Sequence, residues 1–479
     1  MKTIDKIYIN GQFVTPHGTQ VMNLISPATR EIIGTVRLGD ATDVKKAVAA
    51  AKKTFKTFSQ STIQERKDML QRLHDSMKTR LDELIDAMVQ EYGAPLIIAR
   101  QFTNIALNDF LSMKDILDDF DFVQQVGKVR VRFEPVGVVG AITPWNADYI
   151  NIAGKIAPAI AAGCTIVIKP SELSAIQTQL MTECIHAANL PDGVVNILNG
   201  SGEIVGAELT THPYIAKIAF TGSTHTGKII RRNAVDSMKR VTLEMGGKSP
   251  NIIFDDADFS KAVPLALMAC FINSGQACLA GTRLIVPEHR LEVKQLVKNS
   301  IGMFKVGNPA NADTLIGPMV NEKQYNTIQH YIQSGIDEGA EIVAGGLGHP
   351  EGLESGYFVK PTVFANVTSE MTIAQQEIFG PVLSILTFKT EEEAVEIANN
   401  TIYGLQAYIS TPDLEKANRV ASQIEAGTVM INGLYDQGNA PFGGFKQSGI
   451  GREFGTFGLK EYLEPKSVMG YDVREINIG

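Results

Sequence analysis

The first third of the chain carries a hydrophobic pattern that is typical of an amphipathic helix. Between Thr62 and Tyr92, apolar residues recur at spacings of three and four. Thr62 and Glu65 form the Thr-x-x-Glu pattern of a capping box, and Gly93 and Pro95 end the periodic stretch. We expect a packing helix over this segment and assign it no chemistry.

From about residue 136, the pattern changes to short β-branched runs that alternate with helix-compatible segments. The predicted strands cover 136–142, 165–169, 194–198 and 215–221, and the predicted helices cover 150–162, 175–189 and 203–211. Continuous apolar runs joined by crossover helices indicate a parallel sheet that is covered on both faces. Such doubly wound sheets bind nucleotides at the carboxyl ends of their strands.

A second alternating set runs from about residue 251 to 461. Its predicted strands include 283–286, 382–388, 407–410 and 428–431. The expected fold class is therefore α/β, with two doubly wound, Rossmann-like domains. A cleft between two such domains is the usual place for a ligand.

Composition and charge exclude several classes of protein. The chain has 479 residues, and its 52 acidic against 44 basic residues give a formal net charge of -8, which disfavours nucleic acid as a partner. No signal peptide is visible, and the best apolar stretch, 150–168, is interrupted by Lys155, Pro158 and Gly163, so no membrane span is expected. Four cysteines without CxxC spacing favour neither a disulfide scaffold nor a metal site. We therefore expect a cytoplasmic protein without a bound metal.

A glycine-containing segment, 222–228, follows the predicted strand at 215–221 and precedes a helical stretch. Gly222 and Ser223 are candidate phosphate contacts here, because glycine allows close approach and a helix start offers free N–H groups. The spacing superficially matches the phosphate loop of a nucleotide hydrolase. However, Lys228 is followed by Ile229, where that loop requires Ser or Thr to hold magnesium. An ordinary glycine-rich turn is the other interpretation.

Lys169 and Glu172 lie at the end of the predicted strand 165–169 and just beyond it. A carboxylate in that place can accept hydrogen bonds from both hydroxyls of an adenosine ribose. Glu172 would also repel a 2′-phosphate, although Lys169 beside it weakens that argument. A solvated turn is the alternative interpretation of this pair.

Cys278 lies in a predicted loop, after Gly275 and next to Ala277. Small neighbours give a cysteine the accessibility that a nucleophile needs. Burial as a small apolar residue is the usual role of a cysteine and is the alternative here. The remaining cysteines lack even this context and are expected to be buried; they are Cys164, Cys184 and Cys270.

Two polar residues at predicted strand ends are further candidates. Glu244 follows an apolar strand and precedes Gly246 and Gly247, and a carboxylate in such a place can have a raised pKa and act as a general base. A surface glutamate is the alternative. Asn146 follows the predicted strand 136–142, and its amide is a suitable donor for a developing oxyanion.

Taken together and in this order, these segments resemble the aldehyde dehydrogenase superfamily in its hydrolytic branch, which does not acylate CoA. The resemblance covers essentially the whole chain. It rests on TPWN (143–146), KPSE (169–172), FTGS (220–223), LEMGGKSP (243–250), GQAC (275–278), EIFGPV (377–382) and PFGGFKQSGIGRE (441–453).

The resemblance implies catalytic roles for four residues. Cys278 is expected to attack the aldehyde carbon, and Asn146 to hold the oxyanion together with the backbone N–H of Cys278. Glu244 is expected to activate the water that hydrolyses the thioester. Glu453 resembles a second carboxylate that relays protons towards that water.

The resemblance also implies the contacts to NAD, with NADP possible but less favoured. Lys169 and Glu172 match the adenosine-ribose pair. Gly222 and Ser223 match the pyrophosphate turn. Glu377 resembles the residue that holds the nicotinamide ribose, with Phe379 beside the ring. The other expected cofactor contacts are Ile142, Thr143, Pro144, Trp145, Gly202, Gly206 and Phe220.

The family architecture implies three units. The NAD-binding domain is expected at 1–115 and 136–245, the catalytic domain at 246–461, and a small oligomerisation element at 116–135 and 462–479. The tail at 465–472 has strand-like potential and could pair with a neighbouring subunit. Members of the family form homodimers or homotetramers, and the sequence does not choose between them.

One departure from the family pattern bears on the substrate. Where many relatives continue TPWN with Phe-Pro, this chain has Ala147 and Asp148. Ala147 is expected to widen the substrate tunnel, and Asp148 to add negative charge near it, which favours bulky or cationic aldehydes over those that carry a carboxylate. A solvent-exposed carboxylate in the first turn of a helix is the alternative for Asp148.

Three other functions stay open. A CoA-acylating semialdehyde dehydrogenase is disfavoured by Glu244, because that relative releases its acyl group to a thiol rather than to activated water. A non-catalytic family member acting as a binding or structural protein would be suggested by loss of Cys278 or Glu244, and both are present. A phosphate-loop hydrolase is already weakened at Ile229.

Overall fold

The structure is a computed structural model that describes residues 1–436 and 438–471. Its largest sheet has eight strands. In spatial order they are β20 (Gly449–Ile450), β12 (Arg240–Glu244), β11 (Ile215–Thr221), β8 (Val138–Ile142), β9 (Thr165–Lys169), β10 (Val195–Ile197), β2 (Ile7–Ile9) and β3 (Gln12–Val14). The strands from β12 to β10 are parallel, so the predicted parallel sheet is confirmed.

The second large sheet has seven strands. In spatial order they are β15 (Glu341–Ala344), β16 (Thr362–Ala365), β17 (Val382–Phe388), β14 (Arg283–Pro287), β13 (Pro250–Ile253), β18 (Gln406–Ser410) and β19 (Thr428–Ile431). All neighbouring pairs are parallel except β15 with β16. The prediction of two α/β sheets, and with it the fold class, is confirmed.

Two small sheets complete the strand content of the described residues. One contains β1 (Lys2–Ile4), β5 (Ile32–Arg37) and β4 (Val21–Ile25), and the other β21 (Leu463–Val468), β7 (Val129–Pro135) and β6 (Val123–Val126). Of the predicted tail strand at 465–472, residues 465–468 belong to β21, which pairs antiparallel with β7 of its own chain, whereas 469–471 are not in a strand. Residues 472–479 of the expected oligomerisation element lie outside the described residues, and that element stays a prediction.

The helices cover both faces of the large sheets. Those of the first half are α1 (Ala41–Phe58), α2 (Ile63–Thr79), α3 (Leu81–Ala87), α4 (Leu96–Asp119), α5 (Asp148–Ala162), α6 (Ala175–Ala187), α7 (Ala207–Thr211) and α8 (Thr224–Ala234). Those of the second half are α9 (Phe259–Phe271), α10 (Val293–Ser300), α11 (Glu322–Asp337), α12 (Thr372–Gln375), α13 (Glu391–Asn399), α14 (Leu414–Ala421) and α15 (Gly455–Lys460). Throughout the described part of the chain, no helix is both long enough and apolar enough to cross a membrane.

The prediction of one continuous helix over 62–92 is wrong. The capping box of Thr62 and Glu65 is present, but α2 ends at Thr79. Arg80 leaves the helical conformation with a φ of -118°, and its guanidinium binds Glu83 and Glu183. The chain then continues through α3 and a π-helical turn, Met88–Tyr92, which reaches the site described below.

The register of the eight-stranded sheet gathers the sequence motifs at one edge. Ile142 of β8 lies opposite Lys169 of β9 and Phe220 of β11, and Thr221 lies opposite Glu244 of β12. The segments that follow these strands therefore emerge side by side, as expected for the carboxyl edge of a parallel sheet.

Candidate active site

A cavity of about 960 Å³ opens at this edge and extends to the loop that carries Cys278. Ten of the residues singled out in the sequence line it: Pro144, Trp145, Asn146, Gly222, Ser223, Glu244, Cys278, Glu377, Phe379 and Glu453. They come from separate parts of the chain. The cavity therefore unites the predicted nucleophile, oxyanion donor and base.

The backbone before Cys278 is held in an unusual conformation. Asn273, Ser274 and Gly275 have successive φ values of 51°, 60° and 72°. At Gly275, a Cβ would lie 2.3 Å from the carbonyl carbon of Gly380, so only glycine fits. Such strain persists where the surroundings over-determine the backbone, and it is common at functional sites. Here it presents Cys278 to the cavity.

The environment of Cys278 does not favour its thiolate form. Burial, with the nearby carboxylates of Glu377 and Glu244, raises the pKa of this thiol to about 12. The backbone N–H groups of Cys278 and Leu279 lower the pKa, but by less than burial raises it. The thiol must therefore lose its proton to a base as it attacks, because the thiolate is the nucleophile.

Asn146 faces the loop of Cys278. Its side-chain amide donates to the main-chain carbonyl of Gln276 at 3.0 Å, and Asn273 donates to the same carbonyl at 3.0 Å. Asn273 also donates to the main-chain carbonyl of Asn146 at 3.0 Å. These three hydrogen bonds fix the amide of Asn146, and its second N–H is available to act as a donor.

Glu244 is buried, with 2% of its surface exposed, and neither carboxylate oxygen has a hydrogen-bond partner among the residues that the structure describes. Burial and the neighbouring Glu453 raise the pKa of Glu244 well above its usual range. The surface interpretation of Glu244 is wrong, and the expectation of a raised pKa is confirmed. Its carboxylate lies against Gly443, where an added Cβ would come within 2.6 Å of Oε1.

Glu453 is held by Lys155, for which the sequence predicts no role. The Nζ atom of Lys155 lies 2.9 Å from Glu453 Oε1 and also donates to Thr221 Oγ1 at 2.7 Å. Lys155 is fully buried in α5, among apolar residues. A buried ammonium needs such a partner to offset its lost hydration.

Glu377 lines the same cavity and lies against the segment that follows Glu244. It accepts a hydrogen bond from the backbone N–H of Gly247 at 3.1 Å, and burial raises its pKa to about 7. Glu377 also packs closely against Gly246, where an added Cβ would lie 2.1 Å from Glu377 Oε2. The next residue but one, Phe379, is anchored by Gln324, which donates to its carbonyl at 2.8 Å.

A second group of predicted residues lies at the same sheet edge but does not line the cavity. Lys169 is buried and forms an ion pair of 2.8 Å with the part-exposed Glu172. A Cβ at Gly206 would lie 3.7 Å from Ile142 Cδ1 and 3.9 Å from Lys169 Cδ. Gly202 and Gly206 bound a π-helical turn, a feature frequent at functional sites. The predicted adenosine contacts are thus brought together.

The turn between β11 and α8 is short. Ser223 caps α8, with its hydroxyl accepting from the N–H of Thr226 at 3.2 Å. Gly222 packs against Phe220, whose ring would be 2.6 Å from an added Cβ. Lys228 lies within α8 and is exposed, so the segment is not an extended phosphate loop. The interpretation as a phosphate-loop hydrolase is therefore wrong.

Trp145 belongs to an aromatic cluster on the cavity wall. Its ring lies 5.6 Å from that of Tyr92 and 5.5 Å from that of Phe379, the latter edge to face. Such contacts stabilise the rings by about 0.5–1.5 kcal/mol beyond area burial. The core-packing interpretation of Trp145 is therefore part of its role, in addition to lining the cavity. Thr143 is buried just before this segment.

Both expectations for Asp148 are wrong. The residue neither lines the cavity nor faces solvent, because it is fully buried. Its carboxylate accepts from Ser174 Oγ at 2.9 Å and from Thr178 Oγ1 at 3.2 Å. Burial raises the pKa of Asp148 to about 8. Ala147 does line the cavity, as expected.

Some residues at the site carried weak signals in the sequence. Lys155 was visible only as a charged interruption of an apolar stretch. Gln276 and Gly443 lie inside the GQAC and PFGG motifs but were given no role. Tyr92, which accepts from Gln276 Nε2 at 3.3 Å, ends a segment that was interpreted as packing alone. No local pattern marks it.

The other cysteines behave as expected, since Cys164, Cys184 and Cys270 are all buried. Across residues 1–436 and 438–471, no group of three or more His, Cys, Asp or Glu side chains is placed to hold a metal ion.

Comparison with known proteins adds independent observations. The model of a family described as the aldehyde dehydrogenase family matches residues 13–468. A 3-succinoylsemialdehyde-pyridine dehydrogenase from Pseudomonas sp is 44% identical over 475 residues, which cover 98% of this chain and 100% of that relative.

Solved structures agree with the sequence comparison. A crystal structure of a mutant of aldehyde dehydrogenase C from Pseudomonas syringae, in complex with NAD+ and octanal, superposes with a TM-score of 0.97 at 44% identity and covers 98% of both chains. Betaine aldehyde dehydrogenase from Staphylococcus aureus, in complex with NAD+, gives a TM-score of 0.95 at 36% identity, with 99% of this chain and 96% of that chain covered.

Proposed function

This chain belongs to the aldehyde dehydrogenase family, and on that premise we propose that Cys278 is its nucleophile and Glu244 its hydrolytic base. The protein is an NAD-dependent oxidoreductase that converts an aldehyde to a carboxylic acid. One observation carries the assignment of roles: Cys278, Asn146 and Glu244 come from three separate segments and line one cavity.

The residues at the carboxyl edge of the first sheet fit NAD. The ion pair of Lys169 and Glu172 offers an acceptor to the ribose hydroxyls, and Gly206 has no side chain to fill the space beside Lys169. Ser223 and the start of α8 offer N–H groups to the pyrophosphate. Glu377 offers an acceptor near Cys278. When bound, NAD supplies the acceptor for a hydride.

Acylation of the enzyme begins at the thiol. Cys278 Sγ bonds to the aldehyde carbon while its proton passes to a base. Glu244 lines the same cavity and can act as this base. The carbonyl oxygen becomes an oxyanion, and the free N–H of Asn146 and the backbone N–H of Cys278 stabilise it. Loss of hydride from this tetrahedral adduct leaves a thioester on Cys278.

Deacylation needs activated water. Once Glu244 has passed the proton of Cys278 on to Glu453, its unpartnered carboxylate is available to take a proton from a water that attacks the thioester carbon, which releases the acid and the Cys278 thiolate. Because the pKa of Glu244 is raised, we expect turnover to increase with pH as this carboxyl ionises. Glu453, held by Lys155, can then exchange the proton with Glu244.

The wall of the cavity favours aldehydes without a carboxylate. Ala147 leaves its part of the wall open, and the lining includes apolar side chains such as Ile150 and Phe454. The charged side chains among the described lining residues are Glu244, Glu377, Asp436, Glu453 and Lys323. Four of these side chains are acidic, so the lining does not neutralise the negative charge of an anionic substrate. We keep the predicted preference for bulky or cationic aldehydes over those that carry a carboxylate. It now rests on these lining residues and not on Asp148.

We also propose the domain division expected from the family, with units at 1–115 and 136–245, at 246–461, and at 116–135 and 462–479. The sheet of β6, β7 and β21 joins the two parts of the third unit and leaves the outer edges of β6 and β21 unpaired within the described chain. Such edges are suited to pairing with another subunit in a homodimer or homotetramer. Placement in the cytoplasm remains part of the proposal.

The proposed function can be tested by following NADH and the acyl product together. Purified protein is mixed with NAD and octanal, butanal, 4-aminobutanal or succinate semialdehyde, with and without CoA. We expect NADH and free acid in equal amounts and no acyl-CoA. Cys278→Ala should lose roughly four orders of magnitude or more in rate, while Cys184→Ala should remain active. Formation of acyl-CoA would instead identify an acylating enzyme, and succinate semialdehyde as the best substrate would overturn the charge preference.

A further inference from the structure

We propose that Asp148 is a positioning residue that couples the adenosine-ribose turn to the oxyanion donor. The inference rests on the proposed roles of Glu172 and Asn146. It concerns a residue that lies between these two sites and contacts neither the substrate cavity nor solvent.

The contacts of Asp148 join two helices at their first turns. Asp148 is the first residue of α5, and Thr178 lies in the first turn of α6. The Asp148 carboxylate accepts from Thr178 Oγ1 at 3.2 Å and from Ser174 Oγ at 2.9 Å. Ser174 ends the 3₁₀ turn Glu172–Ser174, which carries the predicted ribose ligand. Asp148 therefore holds both the helix and the turn.

Each end of this link lies two residues from a predicted functional side chain. On one side, Asn146 precedes Asp148 by two positions and donates to the carbonyl of Gln276. On the other side, Glu172 precedes Ser174 by two positions and pairs with Lys169. A shift of the ribose turn would thus be transmitted through one carboxylate to the segment that bears the oxyanion donor.

The chemistry of the link indicates a specific function and not simple packing. A carboxyl group buried without a cation in hydrogen-bond contact is unfavourable, whereas an apolar residue at this position would bury at no such cost. Within residues 1–436 and 438–471, Asp148 receives two hydrogen bonds, both from hydroxyl groups. The other charged groups that act on it are Glu91, which opposes its ionisation, and Lys169, which favours it.

A parallel connection supports the same arrangement. The carboxylate of Glu91 accepts from the backbone N–H groups of Ile176 at 2.7 Å and Gln177 at 2.9 Å, at the start of α6. The next residue, Tyr92, accepts from Gln276 Nε2. The start of α6 is therefore tied to the loop of Cys278 by Glu91 and Tyr92, and to Asn146 by Asp148.

The test measures how NAD binding changes the alkylation rate of Cys278 and the fluorescence of Trp145. Both residues lie at the Asn146 end of the link. Trp145 is the only tryptophan in the chain, so intrinsic fluorescence reports on the segment that precedes Asp148. Alkylation of Cys278 by iodoacetamide, quantified by peptide mass, reports on the nucleophile loop. Both are measured with and without saturating NAD in the wild type, Asp148→Ala, Ser174→Ala and the double variant.

We expect NAD to change both signals in the wild type. In each single variant, the factor by which NAD changes the alkylation rate should fall about fivefold or more, which is within the usual range of coupling between sites. The double variant should behave like either single one, because both substitutions break the same link. A matched control is Asp256→Ala, which removes another carboxylate that accepts from a threonine hydroxyl, Thr411, outside the cavity.

The inference is overturned if the wild type shows no effect of NAD, if Ser174→Ala keeps the full effect, or if the two substitutions act additively. Ser174→Ala removes a single hydroxyl and keeps the test decisive even where Asp148→Ala fails to fold. Neither readout requires aldehyde turnover. A wild type that shows coupling but oxidises no aldehyde would therefore refute the proposed function and the role of Asn146 as an oxyanion donor, while the link through Asp148 between the Glu172–Ser174 turn and the Asn146 segment would stand.

Discussion

Asn146 donates its side-chain amide to the carbonyl of Gln276, so the predicted oxyanion donor is fixed by the backbone of the loop that carries Cys278. The donor and the nucleophile loop therefore keep a constant relative position. Preorganised donors of this kind stabilise a developing charge without reorganisation during the reaction.

Replacing the donor tests this arrangement directly. We expect Asn146→Ala to lower kcat by about 100-fold to 1000-fold, as for loss of one oxyanion donor, with little change in KM for NAD. Steady-state kinetics with saturating NAD measure the effect. Asn151→Ala is the matched control, because Asn151 lines the same cavity and donates to the carbonyl of Ala147. Equal losses in the two variants would contradict the role of Asn146.

Gly443→Ala should separate the two half-reactions. A Cβ at Gly443 would lie 2.6 Å from Glu244 Oε1, and the φ of +148° disfavours a side chain there. The displaced base should slow deacylation by about 100-fold, while one equivalent of NADH still forms rapidly. Rapid mixing shows the burst, and added hydroxylamine should release the trapped acyl group. Gly302→Ala, with no atom within 4 Å of its Cβ, should leave turnover unchanged.

Glu172→Gln should weaken the preference for NAD over NADP. The side chain of Glu172 is 30% exposed and would face a 2′-phosphate with like charge. Removal of that repulsion should reduce the ratio of kcat/KM for NAD to that for NADP by roughly tenfold. Glu208→Gln on α7 serves as the control. An unchanged ratio would show that Glu172 does not face the adenosine ribose.

The stability of the protein should depend on the protonation of Asp148. Its pKa is about 8 in the folded chain against an ordinary value of 3.8, so the folded state holds a proton that the unfolded state has lost. The free energy of unfolding should therefore fall as pH rises from about 4 to 8. Glu91, with a pKa raised by burial to about 7, acts in the same direction.

Urea unfolding of the wild type and Asp148→Asn at several pH values measures this dependence. The variant lacks the titrating group, so its stability should decrease less steeply between pH 5 and 8. Asp256→Asn should not flatten the profile in this way. Parallel profiles for the wild type and Asp148→Asn would contradict the prediction.

The fold was largely accessible from the sequence because its strands are buried on both faces. The predicted strands at 165–169, 215–221, 382–388 and 428–431 have the observed bounds. Helix continuity was less predictable. At the break, Arg80 forms an ion pair with Glu183 on another helix, and no local periodicity reveals such a contact.

The site was accessible in part for a similar reason. Asn146 and Glu244 each follow a predicted strand, and residues that follow parallel strands meet at one edge, whereas their catalytic roles were implied by the resemblance of their motifs. The environment of Asp148 could not be predicted, because its partners Ser174 and Thr178 lie on a different strand-to-helix connection. Lys155 was missed as well, since its partner Glu453 is distant in sequence.

The close approach of Gly246 to Glu377 constrains how this sequence can diverge. A Cβ at position 246 would lie 2.1 Å from Oε2 of Glu377, so a larger residue would force this carboxylate to turn away from the backbone N–H of Gly247 that it accepts from. A substitution at position 246 would therefore act on the cavity through a side chain in another part of the chain. Selection on the placement of the Glu377 carboxylate is thus expected to keep position 246 as glycine.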